Sequence, residues 1–340
     1  MDFTKKLLNI CIPTYNRINA LSILVSDILK SDDDRFIITI QDNASNDNTS
    51  SYFNDIDDSR VVYRCNTSNF GAIENYRLSL VNSDTEYVLF VIDKDHINVE
   101  YLSKFIDFLS DKKPNFGGVR LNLIEDKSDF IHYEKGIESI QKFAYNSMHP
   151  TGFFYRSQLI TNEWNGQYMK DLPNGFPFPF ELINGHLGAL YSSYEVIMPL
   201  LRQEDEETTQ KSPTLTYNKA DNLFFGATKR IEAFEVYIKD SLALPISQNE
   251  KKHINERLFC ITLSQITISL SKAFNNETTI KHYKLMKRNV SLSEMFNNIL
   301  VLERKISQIP NNYIGVIFSF LNITKCVIKC LLYKLHITNF

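Results

Sequence analysis

The sequence has no C-x-x-C pair, no apolar run long enough to cross a bilayer, and no excess of basic residues. Each absence argues against a class of protein. Its five cysteines, Cys11, Cys65, Cys260, Cys326 and Cys330, are odd in number and lack metal-ligand spacing. That pattern fits reduced thiols in a reducing compartment, not a disulfide frame or a zinc site. A formal net charge of -3 argues against a general nucleic-acid binder. Lys5 and Lys6 precede only a short apolar stretch that breaks at Pro13, so no signal peptide is expected and the protein is expected on the cytoplasmic side. Internal repeats and low-complexity tracts are missing too.

What is there is an ordinary globular composition. The chain has 340 residues, with 43% hydrophobic and 23% charged residues, enough for one large domain and an appendage. The run Tyr87-Val88-Leu89-Phe90-Val91-Ile92 is continuous, apolar and rich in β-formers, as expected for a strand buried on both faces. It stops at Asp93-Lys94-Asp95. Earlier strands are expected over Leu7–Ile12, closed by Pro13, then over Phe36–Ile40 and Val61–Arg64. Asn19 is placed to cap a helix from Ala20 to about Lys30, with Leu21, Leu24, Val25 and Ile28 on one face. Further helices are expected through Tyr76 and Leu80 and from Val99 to Leu109, with a fifth strand over Phe116–Leu121. Strand, helix, strand at this spacing predicts right-handed parallel crossovers and a doubly wound α/β sheet. From Asp126 to Gln210 the pattern loosens into Pro, Gly and aromatic clusters, and from about Phe225 it reads as helical.

In a parallel sheet, ligands sit beyond the carboxyl ends of the strands. Four such ends carry polar loops: Pro13-Thr14-Tyr15-Asn16-Arg17, Asp42 to Asp47, Asn66 to Asn75 with Asn69 and Gly71, and Asp93-Lys94-Asp95. Each loop alone also reads as a solvated turn. Their order and combination carry more. The segments Ile10–Arg17, Asp42–Thr49, Asn69-Phe70-Gly71 with Asn75, and Asp93–Asp95 resemble the family 2 inverting nucleotide-sugar glycosyltransferases of GT-A fold. More narrowly, they resemble bacterial O-antigen and capsule transferases of the abequosyltransferase-like group. The resemblance runs over roughly Leu7 to Gln210 and is specific in its first half.

The resemblance implies a GT-A domain over 1–224, with a nucleotide-binding half at 1–125 and an acceptor half at 126–224. A helical region follows at 225–340. It implies a nucleotide-sugar donor (UDP, GDP or another nucleotide) and an acceptor that is an oligosaccharide or is linked to polyprenyl diphosphate. Asp42 would accept a hydrogen bond from the base and Tyr15 would pack on its ring. Pro13 and Thr14 would shape the adjacent loop, and Asn69 and Gly71 would let the backbone approach the nucleotide. Arg17 is a candidate diphosphate contact. Asp95, with Asp93, would hold Mg²⁺ or Mn²⁺ against the leaving diphosphate. Lys94 stands where the family's commonest form has a further aspartate, and it either points away or touches phosphate itself.

Inversion needs a general base opposite the leaving group. Glu181 is the first choice, because its aromatic surroundings would make it a better base. Asp171 is second and His186 third. His149 is a candidate acceptor contact, and Arg202 with the acidic run after it stands where such enzymes often carry a lid. Two other readings compete. A nucleotidyltransferase on a similar sheet would carry a Gly-rich loop after the first strand, and Pro13–Arg17 contains no glycine. A catalytically inactive sugar-nucleotide or glycan-binding module fits the presence of Lys94. Finally, Tyr313 to Leu335 combines apolar residues with Lys325, Lys329 and Lys334 and no acidic ones. It reads equally as a helix docked on its own domain or as a peripheral helix on an anionic inner-membrane surface.

Overall fold

The computed structural model describes residues 6–166, 176–204, 223, 225–277, 279–280, 285–310 and 314–334. The chain divides into two compact units, Met1–Pro213 and Thr214–Phe340. The first opens with β1 (Leu8–Thr14), α1 (Ile18–Leu29), β2 (Phe36–Asp42), α2 (Thr49–Asn54), β3 (Val61–Cys65), α3 (Ala72–Leu80) and β4 (Tyr87–Phe90). It continues with β5 (His96–Ile97), α4 (Leu102–Lys112), β6 (Phe116–Val119), β7 (Asp129–Tyr133), α5 (Ile137–Phe143), β8 (Phe153–Arg156) and α6 (Ser157–Asn165). It closes with α7 (Pro179–Leu190), β9 (Ser193–Ile197) and β10 (Leu201–Arg202).

Eight strands form one sheet in the order β3-β2-β1-β4-β8-β6-β9-β7, while β5 and β10 pair separately. The pairs among β3, β2, β1 and β4 are parallel, as is β6 with β9, whereas β8 and β7 run against their neighbours. The sheet is therefore mostly parallel, with helices on both faces. Alternation along the strands shows it. Leu8, Ile10 and Ile12 of β1 and Tyr87 and Leu89 of β4 pack in one core with α1 and α4. Cys11, Val88 and Phe90 point the other way, into a core with Ile160, Phe180, Ile183 and Leu187 of α6 and α7. Burying each large apolar side chain contributes about 1.5–3 kcal/mol, so both faces stabilise the central strands.

Two local expectations are corrected. Strand β1 does not end before Pro13 but runs on to Thr14, with Pro13 opposite Gln41 of β2. The Cys11 carbonyl accepts from Val91, so residues 11 and 13 face β4, and pairing with β4 ends at Phe90. Pro13 thus gives up no ladder bond by lacking an N–H. Helix α1 begins at Ile18, not Ala20, and its first N–H donates to Asp47 Oδ2 at 3.2 Å. A side chain from another loop does what Asn19 was expected to do. Leu21, Leu24, Val25 and Ile28 are all buried, as the helical spacing predicts.

The second unit is helical: α8 (Ala227–Ala243), α9 (Gln248–Gln265), α10 (Ile268–Ala273), α11 (Leu292–Ile306) and α12 (Val316–Lys334). Ser247 caps α9 by a reciprocal bond with Glu250. Leu270, Val290, Met295 and Cys330 share its core. No helix among the described residues is long and apolar enough to cross a membrane.

Close approach of β6 and β9 rests on a glycine. A Cβ at Gly117 would meet the Tyr194 carbonyl oxygen at 2.0 Å, and that oxygen is backbone. Gly117→Ala is expected to destabilise the first unit by about 3 kcal/mol or more, since neither strand can yield without breaking the ladder. Chemical denaturation followed by far-UV circular dichroism measures this, and an unchanged midpoint would contradict it.

Candidate active site

The carboxyl ends of β1, β2, β3 and β4 lie side by side in the sheet, so their loops meet at one edge. Side-chain hydrogen bonds then tie those loops together. Asn16 takes a left-handed conformation, φ 54°, which asparagine tolerates better than most residues. Its N–H donates to Ser45 Oγ at 2.8 Å, and its Oδ1 accepts from the Asn46 N–H at 2.8 Å. The first and second loops are thereby one piece.

Asp42 closes the second loop from within. It is fully buried. Its Oδ1 accepts from the Ser45 N–H at 3.0 Å and the Ser45 hydroxyl at 2.6 Å, and its Oδ2 accepts from the Tyr63 hydroxyl at 2.6 Å. Burial, and then this bond to Asp42, push the Tyr63 hydroxyl well above its usual range, so it remains a donor. The carboxylate expected to meet a base thus also ties its loop to itself and to β3.

Asn43 sits at the centre of a second network. Its Nδ2 donates to Asn69 Oδ1 at 2.8 Å and to the Gly71 carbonyl at 3.3 Å. Its Oδ1 accepts from Asn66 Nδ2 at 3.0 Å and from the Phe70 N–H at 2.9 Å. Asn75 Nδ2 donates to the Gln41 carbonyl at 3.0 Å and its Oδ1 accepts from Asn66 at 2.9 Å. Asn69 and Gly71 therefore shape the third loop. Gly71 has a φ of 85°, and a Cβ there would meet nothing within 4 Å. Phe70 between them is 48% exposed. Gln41, Asn43, Asn66 and Phe70 had no assigned role in the sequence reading; the density of asparagine after β2 and β3 was their only signal.

The fourth loop carries both aspartates, each 1% exposed, in a turn closed by the Asp95 N–H on the Ile92 carbonyl at 3.0 Å. Asp93 faces β1. Its Oδ2 accepts from the Thr14 hydroxyl at 2.8 Å and its Oδ1 pairs with Arg17 Nη1 at 2.7 Å. Asp95 faces β8. Its Oδ2 accepts from the Thr151 hydroxyl, which itself accepts the Ile92 N–H at 3.0 Å. Its Oδ1 accepts from the Glu204 N–H at 3.1 Å. The Glu204 carboxylate pairs with His96 Nε2. His149 Nδ1 stands 3.8 Å from Asp95 Oδ2. Burial pushes the His149 imidazole toward its neutral form; Asp95 opposes this and Lys94 adds to it. Tyr15 and Lys94 are half-buried at the same edge.

The other expected residues fall as follows. Glu181, 2% exposed, lies in the first turn of α7. Its two oxygens accept the backbone N–H groups of Asn146 and Met148 at 2.6 Å each. It holds the chain just before His149. His186 lies against Glu163, 3.7 Å away. Arg202, in β10, is exposed and pairs in register with His96. Asp171 and the acidic run at 205–207 lie outside the described residues, as does the start of the tail at Tyr313.

Among the described residues, no three His, Cys, Asp or Glu side chains form a metal cage. The donors present still fit a divalent cation at one point. Each Asp95 oxygen carries one protein donor and retains a lone pair, and His149 Nδ1 is buried without a hydrogen-bond partner. Hard cations at phosphate sites commonly take one or two protein ligands and leave the rest to phosphate and water. Asp93 also has one donor on each oxygen, but one of them is the Arg17 guanidinium, whose positive charge a cation there would have to face.

The Asp42 arrangement makes a prediction. Asp42→Asn keeps the shape but removes an acceptor, leaving Ser45 or Tyr63 without a partner. It should cost about 1–3 kcal/mol, and Tyr63→Phe about 0.5–1.5 kcal/mol. In a double-mutant cycle by urea unfolding the two should be non-additive, and strict additivity would contradict the shared bond.

Comparison with known proteins agrees with this architecture. Residues 9–168 match the family model described as "Glycosyl transferase family 2". The chain is similar to S. aureus TarS 1-349, at 13% identity and TM-score 0.57, covering 97% of this chain and 92% of that one. It matches the complex of S. aureus TarS 1-349 with UDP-GlcNAc at 14% identity and TM-score 0.58, with the same coverage. A longer S. aureus TarS structure matches at 14% identity and TM-score 0.55, over 90% of this chain and 54% of that one. No curated protein matches the sequence. The mostly parallel sheet with C-terminal helices is the GT-A fold, and residues 9–168, a little under half of the chain, are similar to glycosyl transferase family 2.

Proposed function

We propose that this chain is an inverting, metal-assisted glycosyltransferase that moves a single sugar from a nucleotide-sugar donor to a polyprenyl-diphosphate-linked or oligosaccharide acceptor. The acceptor is a growing bacterial surface polysaccharide of the O-antigen or capsule type. The observation that carries the reading is the convergence of four loops on one sheet edge, bound to one another by side-chain hydrogen bonds and bearing Arg17, Lys94 and Asp95. A nucleotide-sugar donor is supported by the UDP-GlcNAc complex of TarS, whose fold this chain shares.

In this reading the base lies over the exposed Phe70 or Tyr15 ring, and Arg17, steered by Asp93, reaches the diphosphate. Mg²⁺ or Mn²⁺ at Asp95 would supply Lewis acidity to the leaving group. The acceptor hydroxyl attacks the anomeric carbon as the bond to the diphosphate breaks, and its proton passes to a carboxylate. Glu181, the first candidate for that base, already accepts two backbone N–H bonds, which supports a positioning role for it; Asp171, the second candidate, lies outside the described residues and is tested by substitution. The same geometry favours a second reading, a catalytically inactive sugar-nucleotide or glycan-binding module. Calorimetry with UDP- and GDP-sugars, followed by nucleotide release over an acceptor panel, separates them. Binding with turnover is expected, with a loss of about 10²–10⁴-fold in transfer for Asp171→Asn at unchanged donor affinity. Binding without turnover would favour the module.

The acceptor class draws support from α12. Val316, Phe320, Ile328 and Leu331 are 62%, 67%, 50% and 40% exposed on a helix whose only charged residues are lysines. An anionic membrane at the cytoplasmic face would cover such a surface. The full chain should float with anionic vesicles and not with zwitterionic ones, and Phe320→Glu with Ile328→Glu should detach it. Failure to float with anionic vesicles would remove the membrane from the reading.

A further inference from the structure

The glycosyltransferase reading gives Asp95 a cation but not the cation's other protein ligand. His149 Nδ1 is 3.8 Å from Asp95 Oδ2. That is beyond a hydrogen bond. The nitrogen is nonetheless buried, with no hydrogen-bond partner among the described residues. Asp95 Oδ2 already has the Thr151 hydroxyl, but the buried imidazole nitrogen facing it has no partner within hydrogen-bond reach. One divalent ion, bound through the remaining lone pair of that oxygen, would give the nitrogen its partner. Ligands at about 2.0–2.1 Å from one ion stand roughly 2.8–3.0 Å apart at right angles and roughly 3.3–3.4 Å at the tetrahedral angle, so the observed 3.8 Å would close by about 0.4–1 Å on binding, within reach of an imidazole rotation.

We propose that Asp95 and His149 together are the protein ligands of the divalent cation, and that Asp93 is a positioning residue for Arg17 and not a ligand. The surroundings are those of a built site. Thr151, two residues after His149, donates to Asp95 and is held by the Ile92 N–H, so it orients the carboxylate from the same loop that supplies the imidazole. Glu181 fixes that loop through the Asn146 and Met148 N–H groups. Magnesium holds to oxygen ligands and water, whereas a first-row transition ion accepts a nitrogen more readily, so of the two ions considered this site would favour Mn²⁺.

The proposal rests on the donor reading for the remaining ligands, which are diphosphate oxygens and water. Its test does not depend on transfer activity. Mn²⁺ bound to the full chain with UDP is read by pulsed electron paramagnetic resonance. The expected result is ¹⁴N modulation from a directly bound imidazole, lost in His149→Ala. By titration, His149→Ala should weaken Mn²⁺ about 10–100-fold, and Asp93→Asn should change it less than about threefold. His149→Ala should keep the far-UV circular dichroism spectrum and thermal midpoint of the wild type, which shows that the variant folds. Absence of ¹⁴N coupling in the wild type, or equal Mn²⁺ affinity in His149→Ala, overturns the proposal. Loss of Mn²⁺ binding in Asp93→Asn overturns the role given to Asp93. If no UDP or GDP species binds, the donor reading falls by itself, and a His149-dependent ¹⁴N signal with Mn²⁺ alone still supports the site.

Discussion

Everything at the ligand edge hangs from the link between Asp93, Thr14 and Arg17. It joins the end of β1 to the turn after β4, and these are neighbouring strands in the sheet. A carboxylate 1% exposed is tolerable only with such partners, because an unpaired buried charge costs several kcal/mol. The link therefore does two things at once. It neutralises a charge the fold has buried, and it fixes the direction of a guanidinium at the strand ends.

The asparagine network does the same work without charge. Asn43, Asn66, Asn69 and Asn75 join the second and third loops to the start of α3. Each amide offers both donors and an acceptor, so a few side chains satisfy backbone groups that a loop would otherwise leave to water. The result is a rigid rim around Gly71, where an added Cβ would meet only open space. A polar scaffold of this kind suits a site whose ligand is itself polar and must be held by direction.

The strands and helices of residues 1–125 were largely legible in the sequence, because the continuous apolar run of β4 and the helical spacing of α1 both report burial, and burial set those elements. The loops were legible in kind but not in orientation. Asp42 and Glu181 were read as facing a ligand, yet each is bonded to nearby backbone or hydroxyl donors that only the fold brings near. Asp47 as the partner of the Ile18 N–H was invisible for the same reason. Strands β7, β8 and β9 were missed because they are short and their pairing is antiparallel or crosses long connections, so no local period marks them. His149 and Asp95 are 54 residues apart by number, and nothing in either segment announces the other.

Charge accounting at the edge argues for the division of labour between the two aspartates. The formal charges of Asp93, Asp95, Arg17 and Lys94 cancel before any ligand arrives, and Glu204 adds a further carboxylate beside His96. A diphosphate brings negative charge that this set cannot absorb, since Arg17 is already shared with Asp93. Two cationic side chains would suffice only if both carboxylates were neutralised elsewhere, and the hydroxyl and N–H donors on Asp95 do not do that. A divalent cation held by Asp95 and neutral His149, as proposed, would turn that half of the site positive. Asp93 can then stay with Arg17, where its loss would release the guanidinium and remove the tie between β1 and β4. On the proposed assignment one carboxylate would be committed to the fold and the other to the ligand, although they stand two residues apart in the same turn.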